Sequence, residues 1–209
     1  MTLLSLHNER SHLQALVQLG YPLLRDDVER KREWLPHFVE HKVKWMWQFH
    51  LIHHTDQYVD TTTANRHHPL ESLIRFSFTL IGVFVAGAPI GIVMLYQTLS
   101  LVATQFSHAN IRLPRKVDDI ISWVIVSPDM HKVHHHYVLP YTDSNYGNIF
   151  SVWDRIFGTY MELDRDKLVY GVDVFPDEKE NGEILNLLKQ PFQKYKKPTV
   201  IPESDLKDD

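Results

Sequence analysis

The chain has 209 residues, a formal net charge of −4 and no cysteine. This length fits one domain of ordinary size, and the small negative charge gives no indication of nucleic-acid binding. The absence of cysteine excludes disulfides, iron–sulfur clusters and thiolate-bound zinc, so any metal must be held by nitrogen and oxygen ligands.

Residues 1–33 are polar and include a mixed-charge run from Arg25 to Glu33. Such runs are typical of solvated surface. We therefore predict a polar, partly helical N-terminal segment that carries no chemistry. The isolated His7 and His12 in this segment are interpreted as ordinary polar residues.

Three internal histidine clusters follow, with the sequences HFVEH (37–41), HLIHH (50–54) and HKVHH (131–135). On a helix, residues three and four apart lie on one face, so each cluster would direct its imidazoles into one small volume. Neutral imidazole is the commonest protein ligand for zinc, copper and iron, and two such clusters offer more nitrogens than one ion can use. The pattern predicts a metal centre.

Aromatic and apolar residues indicate a membrane protein. Trp34, Trp45 and Trp47 stand near lysines around the first two clusters, as is typical of a membrane–water interface. Leu73 to Phe106 is apolar or small and neutral apart from Arg75. One helix over this block would be about 51 Å long, far beyond a hydrocarbon core of about 30 Å. A break at Gly87-Ala88-Pro89 predicts a short transmembrane hairpin, and a buried soluble helical pair is the alternative.

A hairpin returns the chain to the side that it left, so it would bring the clusters before and after it together. Basic residues flank the block at both ends, which makes this side cytoplasmic by the positive-inside tendency; they are Arg66, Arg75, Arg112, Arg115 and Lys116. The predicted fold class is all-α, a helical membrane protein with a short transmembrane hairpin and a cytoplasmic histidine-rich helical cap.

The remaining segments complete the predicted organisation. Residues 140–148 are rich in turn formers, and Ile149 to Thr159 is typical of a short helix closed by glycine. The chain beyond Glu162 is charged, is punctuated by prolines and ends in an acidic stretch predicted to be disordered. We predict a polar N-terminal segment at 1–33, a membrane metal domain at 34–160 and a polar C-terminal tail at 161–209.

The ordered set of motifs resembles the sterol desaturase / fatty acid hydroxylase superfamily of membrane non-haem di-iron oxygenases. The resemblance runs from about His37 to Thr159. It includes the three histidine clusters and four further stretches, at 65–71 (NRHHPLE), 106–110 (FSHAN), 143–147 (DSNYG) and 153–159 (WDRIFGT).

The resemblance implies two irons held at the cytoplasmic membrane surface. The metal ligands it implies are His37, His41, His50, His53, His54, His131, His134 and His135, with His68 and His108 as additional ligands. His67 and His136 are expected to lie outside the ligand set.

The activity that the resemblance implies is hydroxylation or desaturation of a lipid C–H bond with dioxygen. Sterol, fatty acyl, ether lipid and carotenoid substrates stay open. The chain has no Rossmann glycine motif and no cysteine for a cluster, so electrons must come from an external donor, such as a b-type cytochrome, a ferredoxin or a reductase.

Two departures from the family pattern leave alternatives to this predicted activity open, and so do two other possible functions. Phe38 stands where the family usually has arginine, and residues 1–33 contain no hydrophobic span, so an N-terminally shortened, inactive form is one alternative. A zinc-dependent membrane hydrolase is another, but the HExxH glutamate is missing. A metal-binding or transport protein is a third, although the block from Leu73 to Phe106 holds no histidine or acid.

Overall fold

The computed structural model of the protein describes residues 34–194 together with residues 199 and 200. The predictions for the N-terminal segment at 1–33 and for the acidic end of the chain lie outside the described residues. Within the described ranges the chain is helical, with three isolated β-bridges and no strand. The predicted all-α class is confirmed.

Nine α-helices make up most of the described chain. In order they are α1 (Trp34–Lys42), α2 (Lys44–His54), α3 (Pro69–Ala86), α4 (Ile90–His108), α5 (Arg115–Ser122), α6 (Pro128–His134), α7 (Val152–Phe157), α8 (Glu178–Gly182) and α9 (Ile184–Lys189). Single 3₁₀ turns lie at Thr63–Asn65, Tyr141–Asp143, Arg165–Lys167 and Gln190–Phe192.

The apolar block forms two long helices, α3 and α4, that are separated only by residues 87–89. Gly87 ends α3 in the left-handed conformation with φ of 58°, which glycine adopts without steric cost. Pro89 precedes α4, where its missing N–H removes no helical hydrogen bond. The predicted break at Gly87-Ala88-Pro89 is confirmed.

Both helices are long and apolar enough to cross a membrane, at 18 and 19 residues. A rise of about 1.5 Å per residue makes each about 27–28 Å long, close to the thickness of a hydrocarbon core. Their large apolar side chains point outward; Phe84 is 88% exposed and Ile90 is 75% exposed. Such exposure would be unfavourable in water and suits contact with lipid.

The cap is built on α1, α2 and α6. Helices α1 and α2 follow each other with only Val43 between them and pack together, and α6 packs against α4. Ser127 caps α6 by accepting a hydrogen bond from the Met130 N–H at 3.3 Å, and its own hydroxyl donates to Asp118 at 2.7 Å. The bond to Asp118 joins the start of α6 to α5, while α6 itself packs against the second apolar helix.

The chain beyond residue 160 packs onto the cap in part. Val172 and Val174 form a small apolar core with Leu51 of α2, and Trp47 and Phe175 pack against it. The segment up to Lys194 contains α8 and α9. The domain boundary at residue 160 stays a prediction, and the described residues that follow this boundary include buried core positions.

Candidate metal centre

Five histidines from three helices form the first group of candidate ligands. One ring nitrogen of each lies within 4.8 Å of those of the others; the members are His37, His41, His50, His54 and His134. His50, His54 and His134 are fully buried, and the His37 residue is partly buried. Helices α1, α2 and α6 thus each bring part of a predicted cluster to one place.

Four further histidines form the second group, again with their nitrogens within 4.8 Å of one another. They are His53, His108, His131 and His135. The two groups adjoin, since the His54 and His135 rings stack with centroids 4.6 Å apart. The i, i+3, i+4 spacing explains this arrangement, because α2 and the end of α6 each supply residues to both groups.

Most of these imidazoles are held by a hydrogen bond at Nδ1, which fixes the tautomer. His37 donates to the Tyr146 carbonyl at 2.8 Å, and His134 donates to the Ser144 carbonyl at 2.6 Å. His53 donates to the Thr63 carbonyl at 3.0 Å. His108 Nδ1 donates to the Thr104 carbonyl. His41 and His50 donate from Nδ1 to the carboxylates of Asp143 and Glu71. In a neutral imidazole so bonded, Nε2 carries a lone pair and no proton.

These unprotonated nitrogens face one another at short range. His53 Nε2 lies 3.1 Å from His108 Nε2, and His37 Nε2 lies 3.1 Å from His50 Nε2. Two lone pairs at this separation repel unless a cation accepts both. Among the described residues the buried Nε2 atoms of His41 and His134 have no hydrogen-bond partner. The donor set therefore fits a metal ion in each group.

The electrostatics favour the metal-binding form of the rings. Burial lowers the pKa of His54 and of His134 well below the usual histidine value, and neighbouring imidazoles reinforce the effect. The same direction holds for the pKa values of His37, His41, His50, His53, His131 and His135. The rings are thus neutral near pH 7, as ligation requires.

Carboxylates stand behind the first group. Glu71 is buried and accepts hydrogen bonds from His50 Nδ1 at 2.7 Å and from His67 Nδ1 at 2.9 Å. Arg75 joins Glu71 to Glu40, with an Nη2–Oε2 distance of 2.7 Å to Glu40. Burial raises the pKa of Glu40 to about 7, although Arg75 acts in the opposite direction. Glu40, the acid before His41 in the first motif, therefore anchors an arginine beside the candidate metal ligands.

Asp143 is the carboxylate that accepts a hydrogen bond from His41. It accepts from His41 Nδ1 at 3.2 Å and from Lys42 Nζ at 2.5 Å. Burial favours its neutral form, but the bonds and charges of His41 and Lys42 prevail and lower the pKa of Asp143 to about 2. A carboxylate that accepts from a ligand histidine orients the ring and increases its basicity.

The segment 144–147 supplies two of the carbonyls that hold the histidines. Asp154 fixes this segment by accepting hydrogen bonds from the N–H groups of Tyr146 and Gly147 at 2.8 and 2.9 Å. It also accepts from Trp34 Nε1 at 3.0 Å. Sequence reasoning placed Asp154 in a family motif without assigning it a role; that motif was the signal for this contact.

The structure assigns different places to the neighbouring His67 and His68. His68 lies outside both groups, precedes α3 and caps it, because its Nδ1 accepts from the Leu70 N–H at 3.1 Å. Its ring packs on Phe49. His67 instead stacks on His53 with centroids 4.9 Å apart. We therefore leave His68 out of the ligand set that we propose below.

His136 also lies outside the two groups, as expected from the sequence. Its Nδ1 accepts from the Val169 N–H at 3.1 Å, and burial lowers its pKa to about 4. His108, in contrast, contributes to the second group and contacts His131 Nε2 at 3.0 Å. The structure thus brings together nine of the ten histidines that were predicted as ligands.

A cavity of about 310 Å³ lies between the two apolar helices and reaches the histidines. Its wall includes Arg75, Phe78 and Thr79 of α3 and several residues of α4 from Tyr96 to His108. His37 of the first group and three histidines of the second, His53, His108 and His131, also line it. A ligand can therefore approach both groups along the apolar helices.

Comparison with known proteins gives one family. A family model described as fatty acid hydroxylase matches residues 28–159. Ornithine lipid hydroxylase OlsE of Rhizobium tropici is 24% identical over 168 residues, which cover 80% of this chain and 49% of that protein. Alkylglycerol monooxygenase of Caenorhabditis elegans is 28% identical over 142 residues, 66% of this chain and 27% of that protein. The human alkylglycerol monooxygenase is 26% identical over 139 residues, 65% of this chain and 29% of that protein.

The chain spans about half the length of the ornithine lipid hydroxylase and less than a third of the alkylglycerol monooxygenases. No solved structure matches it significantly. The family model covers more than half of the chain and includes all three histidine clusters. With these clusters gathered into two groups as the motifs predicted, the chain belongs to the fatty acid hydroxylase family.

Proposed function

We propose that this protein is a membrane-bound di-iron oxygenase that hydroxylates or desaturates a C–H bond of a lipid with dioxygen and external electrons. The observation that carries the proposal is the pair of adjoining histidine groups at the end of a cavity between two apolar helices. The names of the relatives, a lipid hydroxylase and monooxygenases, support the reaction class.

The proposed ligands are the nine histidines of the two groups, five for one iron and four for the other. Imidazole suits iron as well as zinc and copper, and the chain offers no thiolate that would favour a softer metal. When bound, two irons would supply electrons for cleavage of dioxygen, and the oxidised centre would then remove hydrogen from an unactivated C–H bond.

The chain's own residues hold and shield this centre. The carbonyls of Tyr146, Ser144 and Thr63 fix the orientation of His37, His134 and His53 through Nδ1. Helix packing leaves His50, His54, His134 and His135 with no exposed surface. The enclosure excludes bulk water from the reacting carbon and protects the oxidising chemistry from side reactions.

The lipid substrate would enter from the bilayer through the cavity between α3 and α4. The hydrocarbon chain of the lipid is already free of water in the bilayer, so its entry into the cavity needs little desolvation. The described chain contains no cofactor-binding glycine motif and the whole sequence has no cysteine. We therefore propose that electrons come from a separate protein, such as a b-type cytochrome, a ferredoxin or a reductase.

We also propose that the histidine-rich cap faces the cytoplasm. Arg66 precedes α3, and Arg112, Arg115 and Lys116 follow α4. These cations stand at the cap end of both apolar helices, which is the cytoplasmic end by the positive-inside tendency. Arg75 adds less to this argument than the sequence suggested, because it lies inside α3 and pairs with Glu40.

Metal analysis and lipid mass spectrometry test the proposal together. The protein purified in mild detergent should carry about two irons per chain. Lipid extracts from cells that express it should contain a species that has gained one oxygen atom or lost two hydrogen atoms. Cells expressing the His134→Ala variant serve as the control. An active preparation with one metal or none would overturn the di-iron proposal.

A further inference from the structure

Helix α4 carries a polar stripe, which we define as Tyr96, Gln97, Ser100, Thr104 and Gln105. All five residues line the cavity between α3 and α4. The opposite side of the helix is apolar and exposed, with Ile92, Leu95, Leu99 and Val102. The stripe therefore lines the cavity, where Gln97 is exposed and Gln105 is half-buried.

The polar stripe leads to the second histidine group. Gln97, Leu101, Gln105 and His108 follow one another at helical spacing, so they lie on one face. At a rise of about 1.5 Å per residue, Gln105 lies about 4.5 Å and Gln97 about 16 Å along the axis from His108. A molecule that touches both amides can therefore place a nearby carbon beside the metal ligands.

Two members of the polar stripe are already satisfied by a neighbouring loop. Thr104 Oγ1 lies 2.7 Å from Asn148 Oδ1, and Ser100 Oγ accepts from Asn148 Nδ2 at 2.6 Å. The side-chain amides of Gln97 and Gln105 make no hydrogen bond with any described residue. Polar groups without partners are costly in an apolar span and mark a place where a polar occupant is bound.

We propose that Gln97 and Gln105 determine substrate specificity by binding hydrogen-bonding groups of the lipid, such as ether, ester, amide or hydroxyl groups, at two points about 12 Å apart along α4. The reacting carbon then lies close to the group that Gln105 binds and not in the middle of a hydrocarbon tail. This inference rests on the proposed function and narrows its substrate class. It disfavours pure hydrocarbons, because a hydrocarbon would leave both amides unpaired.

The absence of cysteine allows a direct test that does not depend on turnover. Leu101→Cys places one thiol in the cavity wall between the two amides, whereas Leu99→Cys places one on the same helix outside the cavity; the two leucines are similarly exposed, at 57% and 52%. The full-length variants are placed in phosphatidylcholine vesicles, and the rate of labelling by membrane-permeant N-ethylmaleimide is measured. The probes are 1-O-hexadecylglycerol and hexadecane at equal mole fraction.

We expect 1-O-hexadecylglycerol to protect Leu101→Cys and hexadecane not to protect it, with neither probe affecting Leu99→Cys. Adding Gln97→Leu and Gln105→Leu should raise the concentration for half-protection by about tenfold, since each amide loses a hydrogen bond. Iron content should stay unchanged, because neither amide belongs to a histidine group.

Equal protection by both probes would overturn the inference, and so would protection that survives the two leucine substitutions. Lack of protection by either probe would also overturn it, because the cavity would then not bind a lipid of this class. None of these results requires iron or activity. The di-iron proposal is judged separately by metal content and by the mass change of the lipid.

Discussion

At the scale of single residues, six of the nine proposed ligand histidines are oriented by a hydrogen-bond partner at Nδ1. The hydrogen bonds from His53 to Thr63 and from His37 to Tyr146 leave Nε2 free to face the metal position. A partner that carries a charge also makes the ring a stronger donor to the metal. Glu71 and Asp143 act in this way on His50 and His41.

The contribution of Glu71 can be measured. Glu71→Gln keeps the size of the side chain but removes the charge that accepts from His50 and pairs with Arg75. We expect iron affinity to fall about 10- to 100-fold, the usual effect of losing such an outer partner. Competition with a chelator measures this affinity. The exposed Glu178→Gln variant is the control, and an unchanged affinity for Glu71→Gln would contradict the assignment.

The ligand set itself is tested by histidine substitutions. His53→Ala and His134→Ala each remove a nitrogen from one group, and both should lose iron and oxidation together. His68→Asn should retain both, because asparagine also caps helices well and His68 lies outside the groups. His7→Ala and His12→Ala should likewise retain both.

The measurements are iron per chain and oxidised lipid in the same preparations. Iron loss in His68→Asn with normal folding would return His68 to the ligand set. Retention of iron and turnover in both His53→Ala and His134→Ala would show that the clusters are not the metal centre. Damage by His7→Ala equal to that by His134→Ala would give the N-terminal segment a role in metal binding.

At the scale of elements, the loop before α7 matters as much as the helices that carry the histidines. Asn145 adopts a φ of 49°, and its side-chain amide donates to the carbonyls of Met130 and Met161 at 2.9 and 2.8 Å. Asp154 holds the next two N–H groups. This loop therefore locks α6 and its histidines to the rest of the cap.

Gly147 gives a test of this lock. A Cβ atom there would lie 2.7 Å from the Phe150 carbonyl oxygen and 2.9 Å from Asp154 Oδ2, too close for the backbone to tolerate. We expect Gly147→Ala to lower the free energy of unfolding by about 1–3 kcal/mol, as overpacked sites do. The midpoint of thermal unfolding in detergent measures the change, together with iron content.

Gly91→Ala is the matched control, because no heavy atom beyond the adjoining residues and backbone of α4 lies within 4 Å of a Cβ atom at that position. It should leave stability unchanged or raise it by up to about 1 kcal/mol, since alanine is the better helix former. Equal stability of Gly147→Ala and the wild type would mean that the loop can move without loss.

At the scale of the whole molecule, the histidine groups can form only if the two apolar helices return the chain to the side that it left. His54 of α2 and His131 of α6 are 77 residues apart in sequence, and α3 and α4 connect them. Only an even number of crossings between them lets both clusters contribute to the same groups. The presence of His54 and His134 in one group therefore indicates an even number of crossings between them.

Cysteine labelling tests this topology in intact membranes. Lys44→Cys before the hairpin and Lys116→Cys after it should react with an impermeant thiol reagent from the same side, which we propose is the cytoplasm. Ala88→Cys, between α3 and α4, should react only from the opposite side. Reaction of Lys44→Cys and Lys116→Cys from opposite sides would imply a single crossing and contradict the hairpin.

Local sequence determined the helices of this protein and its candidate metal ligands. The i, i+3, i+4 spacing of His50, His53 and His54 determines which faces of α2 carry imidazoles, because helical geometry depends on neighbouring residues alone. The hydropathy of Leu73 to Phe106 and the glycine and proline at its centre determined two apolar helices for the same reason. The histidine motifs also identified the family.

Only the tertiary structure decided how these parts combine. It separated His67 from His68, assigned backbone carbonyls and carboxylates to the Nδ1 atoms, and placed Gln97 and Gln105 in the wall of a cavity. Such contacts join residues that are far apart in the chain, and local propensity carries no information about them. They follow from the packing of whole helices, which sets where each side chain ends and which polar atoms stay without a partner.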